Sequence, residues 1–190
     1  IKAVPSLGID PGTGQEIYVK KDGSLTMEWD AADKILCGDT EPDVFGNIST
    51  NLYWKGFNLN AVFQYSIGGD VYNQTLASRV EGVNPSGNAD RRVLNDRWTT
   101  PGQSALYRNN RDYGQTYVST RFVQCDNYLD LTSLSLSYDL KKEWIQRFGL
   151  ESVRVSFYMN DLFRASTVKQ ERGTSYPFAR SFSFGLNIGI

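Results

Sequence analysis

The C-terminal residues of the chain alternate strictly between apolar and polar side chains. From residue 182 onward, one set of positions is wholly apolar: Phe182, Phe184, Leu186, Ile188 and Ile190. Successive side chains of a β-strand point to opposite faces, so this pattern predicts a strand with one apolar and one small, polar face. In a soluble sandwich the apolar face packs on a second sheet, whereas in an outer-membrane barrel it contacts lipid.

The same alternation occurs in four earlier stretches. Together they predict five antiparallel strands at approximately 46–54, 57–67, 122–140, 152–163 and 178–190. Lys55 and Gly56 form a very short hairpin turn between the first two. Each strand of this hairpin has about the length that a tilted strand needs to cross a bilayer.

The segments between the predicted strands are unequal in length. Lys55-Gly56 and 141–150 are compact turns, whereas 68–121 is long and rich in Gly, Pro and Asn, and 164–177 is another long, polar loop. Residues 1–45 are also rich in turn formers, with one short hairpin predicted around Asp22-Gly23. Short turns on one side and long loops on the other are typical of outer-membrane barrels. A sandwich accounts for the alternation but not for this asymmetry, so the pattern favours the barrel.

Composition narrows the function classes. The 190 residues include 20 basic and 21 acidic ones, with no basic block that would indicate nucleic-acid binding. The sequence contains no apolar run of about 20 residues, which excludes a transmembrane helix. It also contains no histidine, the commonest general base and metal ligand. We therefore predict no catalytic residue, no cofactor and no metal site, and expect that the protein is not an enzyme.

Several motifs in the chain resemble a known family in their order and spacing. They include Gly38-Asp39-Thr40-Glu41-Pro42, Tyr53-Trp54-Lys55-Gly56-Phe57, Gly68-Gly69-Asp70-Val71-Tyr72-Asn73, Leu134-Ser135-Leu136-Ser137-Tyr138 and Asn160-Asp161-Leu162-Phe163. With these motifs the chain resembles the C-terminal portion of SusC/RagA-type TonB-dependent transporters of Bacteroidetes outer membranes. The chain also starts without Met, and we expect it to be a piece of a longer protein.

The resemblance implies an all-β fold, in which this chain supplies the last five antiparallel strands of a 22-stranded plugged transmembrane barrel with long extracellular loops. Residues 1–45 would be an extracellular loop region with a short hairpin, and 46–190 would hold the barrel strands and the long extracellular loop 68–121. Cys37 and Cys125 would then lie on or near the same side of the membrane. The sequence allows either a disulfide between them or two separate thiols.

The resemblance further implies active import of nutrient oligosaccharides or peptides across the bacterial outer membrane. The expected partners are the remainder of the barrel and its plug, outer-membrane lipid, a SusD-like surface lipoprotein, and TonB–ExbB–ExbD acting through the missing N-terminal part. The alternative from another class is a secreted β-sandwich that binds carbohydrate.

Candidate contact residues lie in the long loop and on the polar side of one strand. In the loop, Arg97, Trp98, Tyr107, Arg108 and Tyr113 are candidates for contact with substrate or lipoprotein, although Arg97 and Trp98, with the neighbouring Asp96, are better interpreted as pinning the loop to the barrel rim. In the predicted strand 152–163, the residues expected to face the lumen are Arg154, Tyr158 and Asn160. They would line the transport pathway or hold the plug.

Overall fold

The computed structural model of the protein describes residues 1–83, 90–109, 114–169 and 180–190. The chain divides into two compact units. Unit 1 comprises Ile1–Glu41, Gly69–Cys125 and Val168–Thr174, and unit 2 comprises Pro42–Gly68, Asp126–Thr167 and Ser175–Ile190. No helix among the described residues has the length and apolar character needed to span a membrane.

Unit 1 contains five short strands from the N-terminal part of the chain. β1 (Lys2–Ala3) pairs with β5 (Ile35–Leu36), and β2 (Ser6–Ile9), β3 (Glu16–Val19) and β4 (Leu25–Thr26) form a three-stranded antiparallel sheet. β3 and β4 are joined by a hairpin whose turn contains Gly23 at φ 84°. The N-terminal residues are therefore a small folded sheet, where the sequence predicted a loop region with one hairpin.

The long segment after residue 68 folds with these short strands. It contains a π-helix (Leu76–Glu81) and 3-10 helices at Arg91–Leu94 and Thr120–Phe122. The apolar core of unit 1 is small and is formed by Ala3, Val4, Ile9, Tyr18, Ala77, Val80, Trp98, Phe122 and Val168. A core of this size leaves room for polar side chains inside the unit, and several of those are charged.

Unit 2 is built on a five-stranded antiparallel sheet whose spatial order follows the chain. The strands are β6 (Val44–Trp54), β7 (Phe57–Tyr72), β8 (Val123–Asp139), β9 (Ser152–Ser166) and β10 (Phe182–Gly189). Each strand pairs with its neighbours in sequence, in the order β10-β9-β8-β7-β6. The prediction of an all-β fold with five consecutive antiparallel strands is confirmed.

The sheet register places apolar side chains opposite one another. Phe157 of β9 lies opposite Phe184 of β10 on one side and Leu136 of β8 on the other. The rings of Phe157 and Phe184 are 5.0 Å apart. On this face Phe184 is 81% exposed and Leu186 is 62% exposed. A sandwich would bury these side chains against a second sheet, so the exposed apolar face argues against the sandwich alternative.

The strands of unit 2 end or bend at positions with a local physical cause. Between β6 and β7, Lys55 and Gly56 both have positive φ (48° and 93°), which makes the tight turn that the sequence predicted. In β9, Asp161 has φ 51° and coincides with a register shift against β8 between Leu131 and Ser133. This is a β-bulge, which bends the strand near one end of the sheet.

Candidate functional site

Four charged side chains form a buried cluster in unit 1, which we call the ion cluster: Glu16, Glu81, Arg108 and Arg121. Arg121 donates from Nε and Nη2 to the two oxygens of Glu16, both at 2.8 Å. Its Nη2 also donates to Glu81 Oε1 at 2.6 Å, and Arg108 Nε donates to the same oxygen at 2.8 Å. One guanidinium group thus joins two carboxylates that come from distant parts of the chain.

The carboxylates of the ion cluster are removed from water. Glu16 and Glu81 are each only 3% exposed, and Arg108 is 8% exposed. A buried charge is tolerated only when it is paired and hydrogen-bonded, because the lost hydration must be replaced. β3 supplies Glu16, the end of the π-helix supplies Glu81, and the 3-10 helix Thr120–Phe122 supplies Arg121. The ion cluster therefore connects the small sheet to the long segment within unit 1.

The environment keeps two members of the ion cluster, Glu16 and Arg121, in their charged forms. Burial by itself would raise the pKa of Glu16, but the hydrogen bonds and charge of Arg121 outweigh it and hold that pKa below its ordinary value. For Arg121, burial opposes the charged form, yet the hydrogen bonds to Glu16 and Glu81 raise its pKa. The Tyr18 hydroxyl donates to Glu16 Oε2 at 3.1 Å, and burial together with the Glu16 charge raises the pKa of Tyr18. At neutral pH, Glu16 is an anion and Tyr18 is neutral.

Acid is expected to loosen unit 1 through Glu16. The pKa of Glu16 is lower in the folded protein than its ordinary value of 4.5, so its stabilising contribution is complete above that value and is lost as the pH falls through the folded pKa. Hydrogen-exchange protection of amides in 114–125, corrected for intrinsic exchange, should decline as the pH is lowered below about 4.5. Glu16→Gln should reduce protection at neutral pH and flatten this decline, and an unchanged decline in that variant would exclude Glu16 as its source.

Arg97, one of the predicted contact residues, is buried and bound to backbone carbonyls. Its Nε donates to the carbonyl of Val93 at 3.1 Å, and its Nη1 donates to that of Arg108 at 3.2 Å. Its Nη2 makes a short hydrogen bond to the carbonyl of Val80. Burial lowers the pKa of Arg97. The side chain thus closes the segment from 80 to 108 on itself, which is a structural role within unit 1.

Trp98 is also buried, at 6% exposure, and holds the N-terminal segment against the long one. Its indole Nε1 donates to the carbonyl of Pro11 at 2.8 Å. Gly14, at φ 74°, lies directly against the indole ring: a Cβ placed there would be 2.6 Å from Trp98 Cδ2. The position therefore requires glycine for two reasons, its backbone conformation and its lack of a side chain.

Gly14→Ala is expected to destabilise unit 1 by about 2–4 kcal/mol, since it combines a strained positive φ with a collision against a buried ring. Gly23→Ala is the matched control, because Gly23 has a similar φ of 84° but its Cβ would meet no atom within 4 Å. The control should lose about 1–2 kcal/mol, from backbone strain alone. The measurement is hydrogen exchange of unit 1 amides in both variants, and equal losses would show that Trp98 can move aside.

The remaining predicted loop residues lie in different environments. Arg108 belongs to the ion cluster. Tyr107 is half-buried and lines a cavity of about 350 Å³ together with Leu7, Leu106 and Phe122. Tyr113 lies outside the described residues. Contact of any of these residues with substrate or lipoprotein stays a prediction, and the burial of Arg97, Trp98 and Arg108 favours the structural interpretation for those three.

The three predicted lumen-facing residues share one face of β9. Arg154, Tyr158 and Asn160 alternate with Val155, Phe157 and Met159, which belong to the opposite, apolar face. Arg154 donates from Nε and Nη2 to the carboxylate of Asp139 on β8, at 2.5 and 2.9 Å. Tyr158 is 47% exposed, so this polar face is open to a neighbour. That the face lines a lumen stays a prediction.

An aromatic pair that the sequence analysis did not single out lines a second cavity in unit 1. The rings of Trp29 and Tyr117 stack at 4.7 Å with an interplanar angle of 13°. The Trp29 indole donates to the carbonyl of Val118 at 3.1 Å, which fixes the ring. The cavity has a volume of about 240 Å³. The two rings come from distant parts of the chain, so only the fold brings them together.

Neither cysteine takes part in a disulfide. Cys37 and Cys125 are both thiols in the structure, so the disulfide that the sequence left open is not formed. Among the residues that the structure describes, no group of three or more Cys, Asp or Glu side chains is arranged to hold a metal ion.

Comparison with known proteins places the chain beside TonB-dependent receptors. It is 27% identical over 96% of its length to TonB-dependent receptor P3 of Formosa agariphila, and 22% identical over 79% of its length to TonB-dependent receptor P39 of the same organism. The chain spans only about a fifth of the length of the first relative and 15% of the second. No family model matches the chain.

Solved structures give the same assignment of the fold. The chain superposes on the RagAB peptide transporter with a TM-score of 0.74 over 99% of its own length and 22% of that chain, at 20% identity. It superposes on the RagAB peptide importer in the open-open state with the same TM-score, at 21% identity. The resemblance to TonB-dependent outer-membrane transporters and the prediction of a barrel fold are confirmed.

Proposed function

We propose that the chain is the C-terminal part of an outer-membrane transporter that imports nutrient oligosaccharides or peptides. Unit 2 supplies five consecutive strands of the barrel wall, and unit 1 is the folded structure of the loops on the extracellular side. TonB–ExbB–ExbD powers the transport through the N-terminal part of the protein, and a SusD-like lipoprotein at the cell surface delivers the nutrient. The two Formosa relatives are named as receptors and the RagAB structures as transporters, in keeping with a protein that is not an enzyme.

The observation that carries this proposal is the exposed apolar face of the five-stranded sheet. Side chains such as Phe184, Leu186 and Ile188 are more than half exposed along one strand, on the face opposite the small and polar residues. Lipid is the environment that makes such a face favourable, since a large apolar patch in water promotes aggregation. The edges β6 and β10 each have one side without a strand in the five-stranded sheet, and the rest of the barrel would pair with both.

The proposal is tested on the full-length protein in its native cells. Detergent extraction of the outer membrane should yield a species several times larger than the 21.4 kDa of this chain. Deletion of its gene should abolish uptake of at least one oligosaccharide or peptide mixture supplied as the sole nutrient. Dissipation of the proton gradient should do the same in the wild type, because TonB-dependent transport requires it.

The partner is tested by purification. An affinity tag on the transporter should recover a surface lipoprotein in about equal amount after mild detergent extraction. A protein found only in the culture medium or the periplasm would overturn the proposal. So would uptake that is unchanged in the deletion strain for every nutrient on which the wild type grows.

A further inference from the structure

We propose that the cavity beside Trp29 and Tyr117 in unit 1 binds an uncharged sugar ring, so that the imported nutrient is an oligosaccharide. The inference rests on the proposed function, because it selects one of the two nutrient classes. It arises from three properties of the cavity: its aromatic wall, the internal pairing of its charges, and the amide groups at its mouth.

The aromatic wall is rigid and partly open. Trp29 is held by the hydrogen bond to the carbonyl of Val118, and Lys34 Nζ lies 5.3 Å from the centre of its ring. Tyr117 stacks on Trp29 and remains 40% exposed. Trp29 therefore supports Tyr117, whose ring is the accessible surface. A flat, amphipathic aromatic surface with little conformational freedom suits the C–H face of a pyranose ring.

The charges that line the cavity are already neutralised within the protein. Glu16 is paired with Arg121 at 2.8 Å, and Arg108 is paired with Glu81 at 2.8 Å. Both carboxylates are almost fully buried, so neither pair can separate to bind a ligand charge without a large desolvation penalty. The charged residues among the described lining of the cavity are Glu16 and Arg108, so that lining leaves no unpaired charge to match the charged ends or side chains of a peptide. An uncharged ligand avoids the much larger cost of taking an unpaired charge out of water.

Polar groups that suit hydroxyls lie at the mouth of the same cavity. Gln15 and Gln115 both line it and are both exposed. An amide presents one acceptor and two donor hydrogens, and a sugar hydroxyl can satisfy either kind. An aromatic wall combined with a few convergent polar groups is the usual character of a small-ligand pocket. The cavity thus fits a neutral, polyhydroxylated ring.

The test uses the full-length transporter purified with its co-purifying partner in detergent. The probes are neutral hexasaccharides of glucose and of mannose, each titrated by calorimetry, with a mixed pool of charged peptides as the comparison. We expect at least one hexasaccharide to bind. Tyr117→Ala should weaken that binding by about tenfold, because the stacking surface is removed, and Tyr117→Phe should leave it within about twofold.

Folding is controlled in the same samples. Hydrogen exchange of 1–41 and 69–125 should be the same in Tyr117→Ala as in the wild type. If that variant loosens unit 1, Gln115→Ala serves as the second variant, with an expected loss of about threefold in sugar affinity and none in protection.

The outcomes separate this inference from the proposed function. Sugar binding that is unchanged in Tyr117→Ala and in Gln115→Ala overturns the sugar site. Binding of the peptide pool without binding of either hexasaccharide also overturns it, while leaving the transporter proposal in place. Uptake that is unchanged in the deletion strain for every nutrient would instead overturn the proposed function, and the sugar site with it.

Discussion

Arg121→Ala is expected to lower the free energy of local unfolding of unit 1 by about 3–5 kcal/mol, which is the usual effect of removing one partner from a buried ion pair. Within the ion cluster, Arg121 is the cation that pairs with both carboxylates, those of Glu16 and Glu81. Alanine would leave Glu16 without its guanidinium partner in a site that is 3% exposed. The Glu16 carboxylate would then have to take up a proton, or unit 1 would have to open to water.

The expected loss in local unfolding free energy is measured by hydrogen exchange of amides in 69–125 of the full-length protein. A local measurement is needed because a barrel as a whole resists unfolding. Arg121→Lys keeps the charge but not the bidentate geometry, and should give an intermediate loss. Arg154→Ala is the surface control: its pair with Asp139 is made by side chains that are 53% and 39% exposed, and exposed pairs contribute little. Equal exchange in Arg121→Ala and Arg154→Ala would contradict a stabilising role for the ion cluster.

Phe184→Arg is expected to prevent most of the protein from assembling in the outer membrane. Phe184 lies on the apolar face of β10, opposite Phe157, and is 81% exposed. A cation on the lipid-facing side of a barrel strand costs about 2–4 kcal/mol near the bilayer midplane. Ser183→Arg places the same side chain one residue earlier, on the opposite and polar face, where it should be tolerated.

The two variants are compared by the amount of heat-modifiable, folded barrel in the outer-membrane fraction. Phe184→Arg should reduce that amount severalfold, and Ser183→Arg should leave it near the wild-type level. Equal levels in both would mean that the two faces of β10 meet similar environments, which would contradict the barrel. Because the variants differ by one position in the same strand, a general effect of arginine on expression is excluded.

The sheet of unit 2 could be predicted from the sequence because strand alternation is a local property. Period-two patterning indicated which residues share a face, and Lys55-Gly56 indicated where the first hairpin turns. The structure extends β7 to Tyr72, beyond the predicted end at 67. It also places a β-bulge at Asp161 in β9. A bulge is a shift in pairing between two strands, so the sequence of β9 alone does not reveal it.

Unit 1 is where prediction from the sequence was incomplete. Its turn-rich segments carry little periodicity, so 1–45 was expected to be a loop region and 68–121 a long loop. The structure folds both into one unit through contacts between residues far apart in the chain, such as Glu16 with Arg121 and Trp98 with Pro11. Arg97, Trp98 and Arg108 were conspicuous in the sequence, yet whether they point outward or inward depends on those distant contacts.

The amino-acid sequence by itself determined the five strand-forming stretches within 46–190, the apolar and polar faces of those strands, and the resemblance to TonB-dependent transporters. Each of these depends on residues that are close together or in a fixed order. Only the tertiary structure decided that Glu16, Glu81, Arg108 and Arg121 share a buried site and that Trp29 stacks on Tyr117. A buried charge and an aromatic wall are properties of groups that meet in space, and no local pattern in the chain encodes their meeting.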